Sequence, residues 1–258
     1  MIAVSRHGEG SYVAELALDR PEALNAVSTE LATRLTEAAM ALAADTSVRC
    51  VVVTSTSDKA FCVGADLKER NGFTDQELLA HRDVTRAAYR AVLDLPMPAI
   101  AAVDGYALGG GLEIALSCDL VVAGSGAVLG LPEVSVGLVP GGGGTQLLTR
   151  RVGWSRAAGL ILTGRRVDAA EAARLGVVDE VVGQGTARVH SMRMADGIAA
   201  NSPTAVRAAK QAMRDGAGLG LAGALDVEDA AWRRAAFSAD RAEGIRAFVE
   251  KRPPHWSL

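Results

Sequence analysis

The chain has 258 residues, 49% of them hydrophobic and 22% charged, with a formal net charge of −3. That length supports one large domain, or one domain with an appendage. The charge balance leaves no basic footprint for nucleic acid, and no apolar run approaches the ~20 residues needed to span a membrane.

The opening M-I-A-V-S-R-H-G-E-G has neither a charged segment followed by an apolar one nor an Arg/Ser-rich amphipathic pattern, so a cytoplasmic location is expected. Ile2 to Leu18 predicts a hairpin turning at Gly8-Glu9-Gly10-Ser11. Asp19 to Glu22 breaks the second strand, Ala23 to Ala26 forms a loop, and Ser28 caps a helix reaching about Ala44. C-V-V-V-T at Cys50 to Thr54 is a short strand, apolar enough to need cover on both faces. Thr74 to Glu77 is a capping box opening a helix to about Leu95, stopped by Pro96 and Pro98.

A strand from Ile100 to Val103 then enters Asp104-Gly105 and the triplet Gly109, Gly110, Gly111, with Glu113 in the first turn of the next apolar segment. The glycines either make only a tight turn, or free the N–H groups of a helix start to grip an oxygen that becomes negative during a reaction. Leu120 to Ala123 is another buried strand. G-L-P-E-V (130–134) and the run Gly137 to Gln146 follow as glycine-rich loops. Ser155 is expected to cap a helix ending near Gly164, and Asp168 to Glu171 forms a second capping box with Gly176 as its stop. A strand over Val177 to Val182 closes the β-containing part. Four helices follow: from Thr186 to about Ala200, from Ser202-Pro203, around Leu219 to Ala236, and from Asp240. Residues 1–185 therefore predict an α/β core, and 186–258 a helical C-terminal region of the same structural unit.

Nucleotide-type readings of the glycines fit poorly. Gly141 to Gln146 lacks the Lys-Ser/Thr of a phosphate-binding loop, and Gly105 to Gly110 is not G-x-G-x-x-G followed by an acidic residue at a strand end. Three cysteines (Cys50, Cys62, Cys118) in apolar contexts read as buried thiols, and His7, His81, His190 and His255 as surface or structural residues, so no metal is expected.

Together the blocks A-F-C-V-G-A-D-L-K-E, D-G-Y-A-L-G-G-G-L-E-I-A-L-S-C-D-L, G-L-P-E-V-S-V-G-L-V-P-G-G-G-G-T-Q and A-F-V-E-K-R resemble the enoyl-CoA hydratase/isomerase family, the crotonase superfamily. The resemblance runs from the first hairpin to Lys251-Arg252. It implies a spiral of ββα units with a C-terminal helical trimerisation region, and homotrimers paired as dimers of trimers. It also implies an acyl-CoA thioester as substrate, with coenzyme A a part of that substrate and no separate cofactor. By motif position the thioester oxyanion falls to the backbone N–H groups of Ala65 and Gly110, and acid–base work to Glu113 and Glu133. Both glutamates together suit syn addition of water to a trans-2-enoyl-CoA; a Δ3,Δ2-enoyl-CoA isomerase needs only one, and a non-catalytic acyl-CoA-binding scaffold neither. The resemblance further implies substrate or CoA contacts at Ala23, Leu24, Val63, Asp66, Leu67, Lys68, Phe248 and Lys251, the two lysines being equally readable as plain surface charges. Val63 departs from the small alanine common at its position. Leu78, Leu79, Val84 and Tyr89 are expected to shape an apolar acyl pocket.

Overall fold

Strands that are apolar on both faces need cover on both sides. The computed structural model describes residues 1–257 and supplies that cover. The larger sheet runs in spatial order β1 (Ile2–His7), β2 (Val13–Leu18), β3 (Cys50–Ser55), β5 (Ala99–Val103), β7 (Leu120–Gly124) and β10 (Glu180–Val182). Only the β1–β2 hairpin is antiparallel; the pairs that follow are parallel. A smaller sheet holds β4 (Ala60–Cys62), β6 (Tyr106–Leu108), β8 (Val128–Gly130) and β9 (Arg166–Asp168), with β8 and β9 antiparallel.

Alternation along the strands sends side chains into two cores. Leu16, Leu18, Val51, Val53, Ala101 and Val121 join the larger one, together with α1 (Thr29–Ala44), α3 (Asp75–Leu93) and α4 (Gly110–Ser117). The intervening residues Val13, Cys50, Val52, Ile100 and Val122 face α8 (Ala187–Ala199) in the smaller one. The remaining helices are α2 (Leu67–Arg70), α5 (Gly144–Val152), α6 (Trp154–Ile161), α7 (Ala169–Leu175), α9 (Pro203–Gly216), α10 (Leu221–Ala236) and α11 (Ala239–Glu250).

The C-terminal helices are tied to the sheet region by charge pairs in which one partner, Glu15 or Lys210, is buried. Arg188 on α8 donates twice to Glu15 of β2, at 2.6 and 2.7 Å. Burial alone would raise the Glu15 pKa, but Arg188 and Thr54 outweigh it and bring it down to about 2. Lys210 on α9, only 5% exposed, donates to Met97 O and to Asp119, each at 2.6 Å. Removing one partner of such a pair leaves the other charge uncompensated, so these contacts fix where the helices dock.

Several expectations hold. Ser28 caps α1, the capping box at Thr74 is complete, and Ser202 caps α9 with Pro203 at its first position. Others need correction. The smaller sheet is built of three-residue strands, too short to show alternation. α5 (Gly144–Val152) begins inside the run Gly137 to Gln146, where only a glycine loop was expected. Ser155 does not cap α6, which starts at Trp154 behind Gly153 in the left-handed region (φ 82°). α11 starts at Ala239, one residue ahead of the expected Asp240, with Ser238 as its cap; the buried Asp240 carboxylate accepts from Ser202 Oγ and Ser257 Oγ. The strand expected over Val177 to Val182 is confined to β10, because Val177 and Val178 turn down into the core after Gly176.

Candidate active site

The first turn of α4 is pressed into the molecule. Gly109 turns the chain at φ 52°, its N–H donating to Gly130 O of β8. A side chain on Gly111 would collide with Cys62 O of β4, and all eight residues of the helix are buried. Glu113 is consequently only 2% exposed. Its Oε1 accepts from Gly142 N at 2.6 Å and from Gly144 N at 2.8 Å. The glycine run 141–144 thus serves a carboxylate of the protein itself: a Cβ on Gly142 or Gly144 would stand 2.8–2.9 Å from the Glu113 oxygens. Burial raises the Glu113 pKa, while those two N–H groups and Arg82 pull it back.

Glu133 opens a single 3-10 turn, Glu133–Val136, after Pro132. Its Oε2 is buried without a hydrogen-bond partner, and its Oε1 would lie 3.0 Å from a Cβ on Gly109. Burial, reinforced by the neighbouring Glu113 charge, pushes its pKa up to about 7; its own backbone N–H and Arg70 act the other way. Two carboxylates with unequal surroundings therefore share one site, one anchored by backbone donors and one poised near neutrality.

Two backbone N–H groups face the same place. Val27 N donates to Gly64 O at 2.7 Å and Asp66 N donates to Val27 O at 3.1 Å, a parallel bridge that leaves the N–H of Ala65 pointing to the opposite side. Gly110 is the first residue of α4, so its N–H is one of the helix's unpaired donors, at the positive end of the dipole. The two segments abut: a Cβ on Gly64 would come within 3.2 Å of Gly110 N. Ala65, Gly110, Glu113 and Glu133 all line one cavity of about 510 Å³. Fixed N–H dipoles set side by side in this way can stabilise negative charge without reorganisation.

The family model described as Enoyl-CoA hydratase/isomerase matches residues 8–258. The chain belongs to the enoyl-CoA hydratase/isomerase family. Among its relatives, the putative enoyl-CoA hydratase/isomerase YngF of Bacillus subtilis is 42% identical over 244 residues, 95% of this chain and 94% of that protein. The human mitochondrial methylglutaconyl-CoA hydratase is 39% identical over 252 residues, covering 96% of this chain and 74% of that protein. The crystal structure of an enoyl-CoA hydratase from Bacillus anthracis superposes with a TM-score of 0.95 at 38% identity, covering 99% of this chain and 98% of that one. The expected crotonase-type α/β fold with C-terminal helices is therefore the fold observed.

Other residues singled out from the family pattern are placed as follows. Val63 and Leu67 line the cavity. Ala23 and Leu24 are not in the lining; Leu24 adjoins it through its O, which accepts from Val63 N at 3.2 Å. Asp66 turns its carboxylate away, to Arg20 at 2.6 Å and to the first N–H groups of α2, which it caps. Lys68 is exposed on α2. Phe248 (84% exposed) and Lys251 stand at the outer end of α11, apart from the cavity lining. Of the acyl-pocket candidates, Leu78, Leu79 and Tyr89 reach the cavity, and Val84 packs on the core instead.

Among the cavity residues not singled out from the sequence are Arg70, His81, Arg82 and Arg166. His81 reads there as a surface or structural residue, and the three arginines carry no reading. The signal available was their spacing, since Leu78, His81, Arg82, Thr85 and Tyr89 recur at the i, i+3, i+4 interval of one face of α3.

Gly64 is where a small change should have a measurable effect. Its φ is 92°, and an added Cβ would lie 2.8 Å from Leu108 O, a backbone atom. Gly64→Ala is expected to cost about 1–3 kcal/mol in thermal or denaturant unfolding. Because relief of the clash moves Ala65 relative to Gly110, turnover of a CoA thioester substrate should also fall by roughly tenfold or more. Wild-type turnover in this variant would show that the 64–65 loop takes no part in the reaction.

Proposed function

We propose that the protein is an enoyl-CoA hydratase, adding water syn across the double bond of a trans-2-enoyl-CoA to give the 3-hydroxyacyl-CoA. The observation that carries this reading is the pairing of Glu113 and Glu133 in one cavity with the two outward-facing N–H groups. Addition at the β-carbon drives negative charge onto the thioester oxygen, which Ala65 N and Gly110 N receive. Glu113, held by Gly142 and Gly144 through Oε1, orients and deprotonates the water through its other oxygen. Glu133, with its pKa near 7, delivers a proton to the α-carbon. The pair shares one proton, which changes owner in each turnover.

Isomerisation of a 3-enoyl-CoA needs only one proton shuttle, a part Glu133 can play alone. The two N–H groups organised around Glu113 favour hydration, since isomerisation gives them no task. Assembly into trimers, paired as hexamers, belongs to the same proposal. Exposed Trp232, Phe237, Phe248 and Val249 on and beside the last two helices support it, being apolar surface of the kind that association covers. On this reading Phe248 and Lys251 meet CoA across a subunit boundary.

The test is loss of the enoyl-thioester absorbance with crotonyl-CoA and with a longer trans-2-enoyl-CoA, using the Glu113→Gln/Glu133→Gln double variant as blank. Loss with the native protein alone is expected. Intact absorbance with both substrates, while CoA thioesters still bind, would overturn the hydratase reading.

A further inference from the structure

Three consecutive glycines stand at the start of α4, and what a side chain on each would strike shows what its absence makes room for. A Cβ on Gly111 would meet Cys62 O, which is packing. A Cβ on Gly109 would stand 3.0 Å from Glu133 Oε1. A Cβ on Gly110 would stand 2.3 Å from the hydroxyl oxygen of Tyr89, on α3. Two of the three thus admit a polar side chain to the first turn of α4, next to the Gly110 N–H. Glu133 has its part in hydration as a proton donor. Tyr89, as a mere wall of the acyl pocket, would need no hydroxyl, since phenylalanine fills the same space without burying a polar group.

The Tyr89 ring is held fast. It is 6% exposed and belongs to the larger core. A Cβ on Gly142 would lie 2.5 Å from its Cδ2 and 2.7 Å from its Cε2, and at the same point 2.8 Å from Glu113 Oε2. The ring is therefore clamped between Gly110 and Gly142 and runs alongside the Glu113 carboxylate. The hydroxyl is not clamped. Tyr89 lines the cavity, and among the described residues its hydroxyl makes no hydrogen bond. It keeps surface toward the cavity, whereas the unpartnered Glu133 Oε2 and His81 Nε2 are sealed. A tyrosine buried this deeply usually finds a partner for its O–H. Glu113 is not that partner directly, yet its charge acts on the hydroxyl, as does that of Glu133. A water held by Glu113 Oε2, the oxygen that Gly142 N and Gly144 N leave free, can join the two. Burial and then the Glu113 charge hold the phenol well above the usual tyrosine pKa, so it keeps its proton and can donate.

We propose that the Tyr89 hydroxyl is a third group on the water that is added, donating a hydrogen bond to the water oxygen while Glu113 Oε2 takes its proton. This role rests on the hydratase reading of the site. One O–H bond of the water breaks toward Glu113 as the oxygen bonds to the β-carbon. The π pair of the double bond moves onto the thioester oxygen, and returns as the α-carbon takes the proton of Glu133. Tyr89 gives up no proton. The water oxygen gains negative charge while it loses its proton, so a fixed donor aimed at it acts more strongly in the transition state than in the ground state. In dehydration the same donor holds the departing β-hydroxyl.

The test compares Tyr89→Phe with the native protein in two reactions. Hydration of crotonyl-CoA uses the water. Exchange of the α-protons of butyryl-CoA in D2O, followed by NMR, uses Glu133 and the two oxyanion N–H groups but adds no water. The variant is expected to lose roughly tenfold to a hundredfold in kcat for hydration, with KM for crotonyl-CoA and the α-exchange rate little changed. Its unfolding midpoint should match the native one, because the hydroxyl has no partner in the protein to lose. Native kcat in the variant overturns the proposal. Equal slowing of hydration and α-exchange also overturns it, assigning the hydroxyl to the thioester oxygen instead. A raised KM with kcat unchanged overturns it in favour of a contact with the acyl chain. A native protein that exchanges α-protons but hydrates no enoyl-CoA refutes the hydratase reading before any variant is made, and the role of Tyr89 falls with it.

Discussion

Glu133→Gln is expected to lower kcat for enoyl-CoA hydration by about 10²–10⁴-fold, the usual contribution of a general acid, while acyl-CoA affinity changes little. The amide has the size of the carboxylate it replaces, and Glu133 Oε2 has no partner to lose. A second, opposite-looking consequence follows for stability. The Glu133 pKa is raised in the folded protein from 4.5 to about 7, so between those values the folded state holds a proton that the unfolded chain has released. Stability therefore falls as pH rises through this window and is flat above it, a loss bounded at about 3 kcal/mol and reduced by solvent reaching the partly exposed side chain. The glutamine variant lacks this penalty. It should unfold at a higher temperature than wild type at pH 8 and at a similar one at pH 4, while being nearly inactive. Unchanged turnover would remove Glu133 from the mechanism.

The same pair fixes the pH–rate profile. Hydration consumes no net proton, so the equilibrium constant is independent of pH. The kcat/KM values for hydration and dehydration must then share one profile. Each direction needs a single proton on the pair, so the profile is bell-shaped, with its alkaline limb near pH 7 where the pair loses that proton.

Glu113 separates chemistry from architecture through two substitutions. Glu113→Gln keeps an oxygen in place to accept from Gly142 N and Gly144 N, so the loop should hold and unfolding should shift little. Turnover should still fall about 10²–10⁴-fold, because an amide cannot take the proton of water. Glu113→Ala leaves both N–H groups without their acceptor in a buried site. That costs about 1–3 kcal/mol for each donor left unsatisfied, before any cavity term is added. Its unfolding midpoint should drop clearly, with activity lost as in the glutamine variant. Equal stability of the two variants would show that water replaces the carboxylate at the loop, and that Glu113 has no architectural role there.

The sequence carried the local chemistry well where one residue's own properties decide it. Ser28, Thr74 and Ser202 are helix caps because their hydroxyls reach a free N–H two or three positions on. Glu113 and Glu133 stood out as carboxylates in apolar surroundings, and both are in the cavity. The errors fall where glycine was read by its propensity. The run 141–144 looked like a loop, yet α5 starts within it, because the N–H groups that glycine leaves accessible are held by Glu113, 31 residues away from Gly144 in sequence. Likewise the last helix was expected from Asp240, but it starts at Ala239 behind Ser238, and Ser202 and Ser257 claim the Asp240 carboxylate.

What the sequence by itself determined is the longer strands and helices, the faces they bury and the residue types of the site, because strand alternation, capping and burial are short-range and written in each segment; the three-residue strands of the smaller sheet are too short to carry that signal. What only the tertiary structure decided is company. A parallel bridge to Val27 turns the Ala65 N–H outward, and the packing of Gly64 on Gly110 sets the two donors side by side. Burial, with Glu113 for a neighbour, lifts Glu133 to about 7. Arg70, His81 and Arg82 come to line the cavity only once α2 and α3 pack over it. These properties depend on distance, desolvation and the direction of N–H groups among segments far apart in the chain, and none of the three exists until the segments meet.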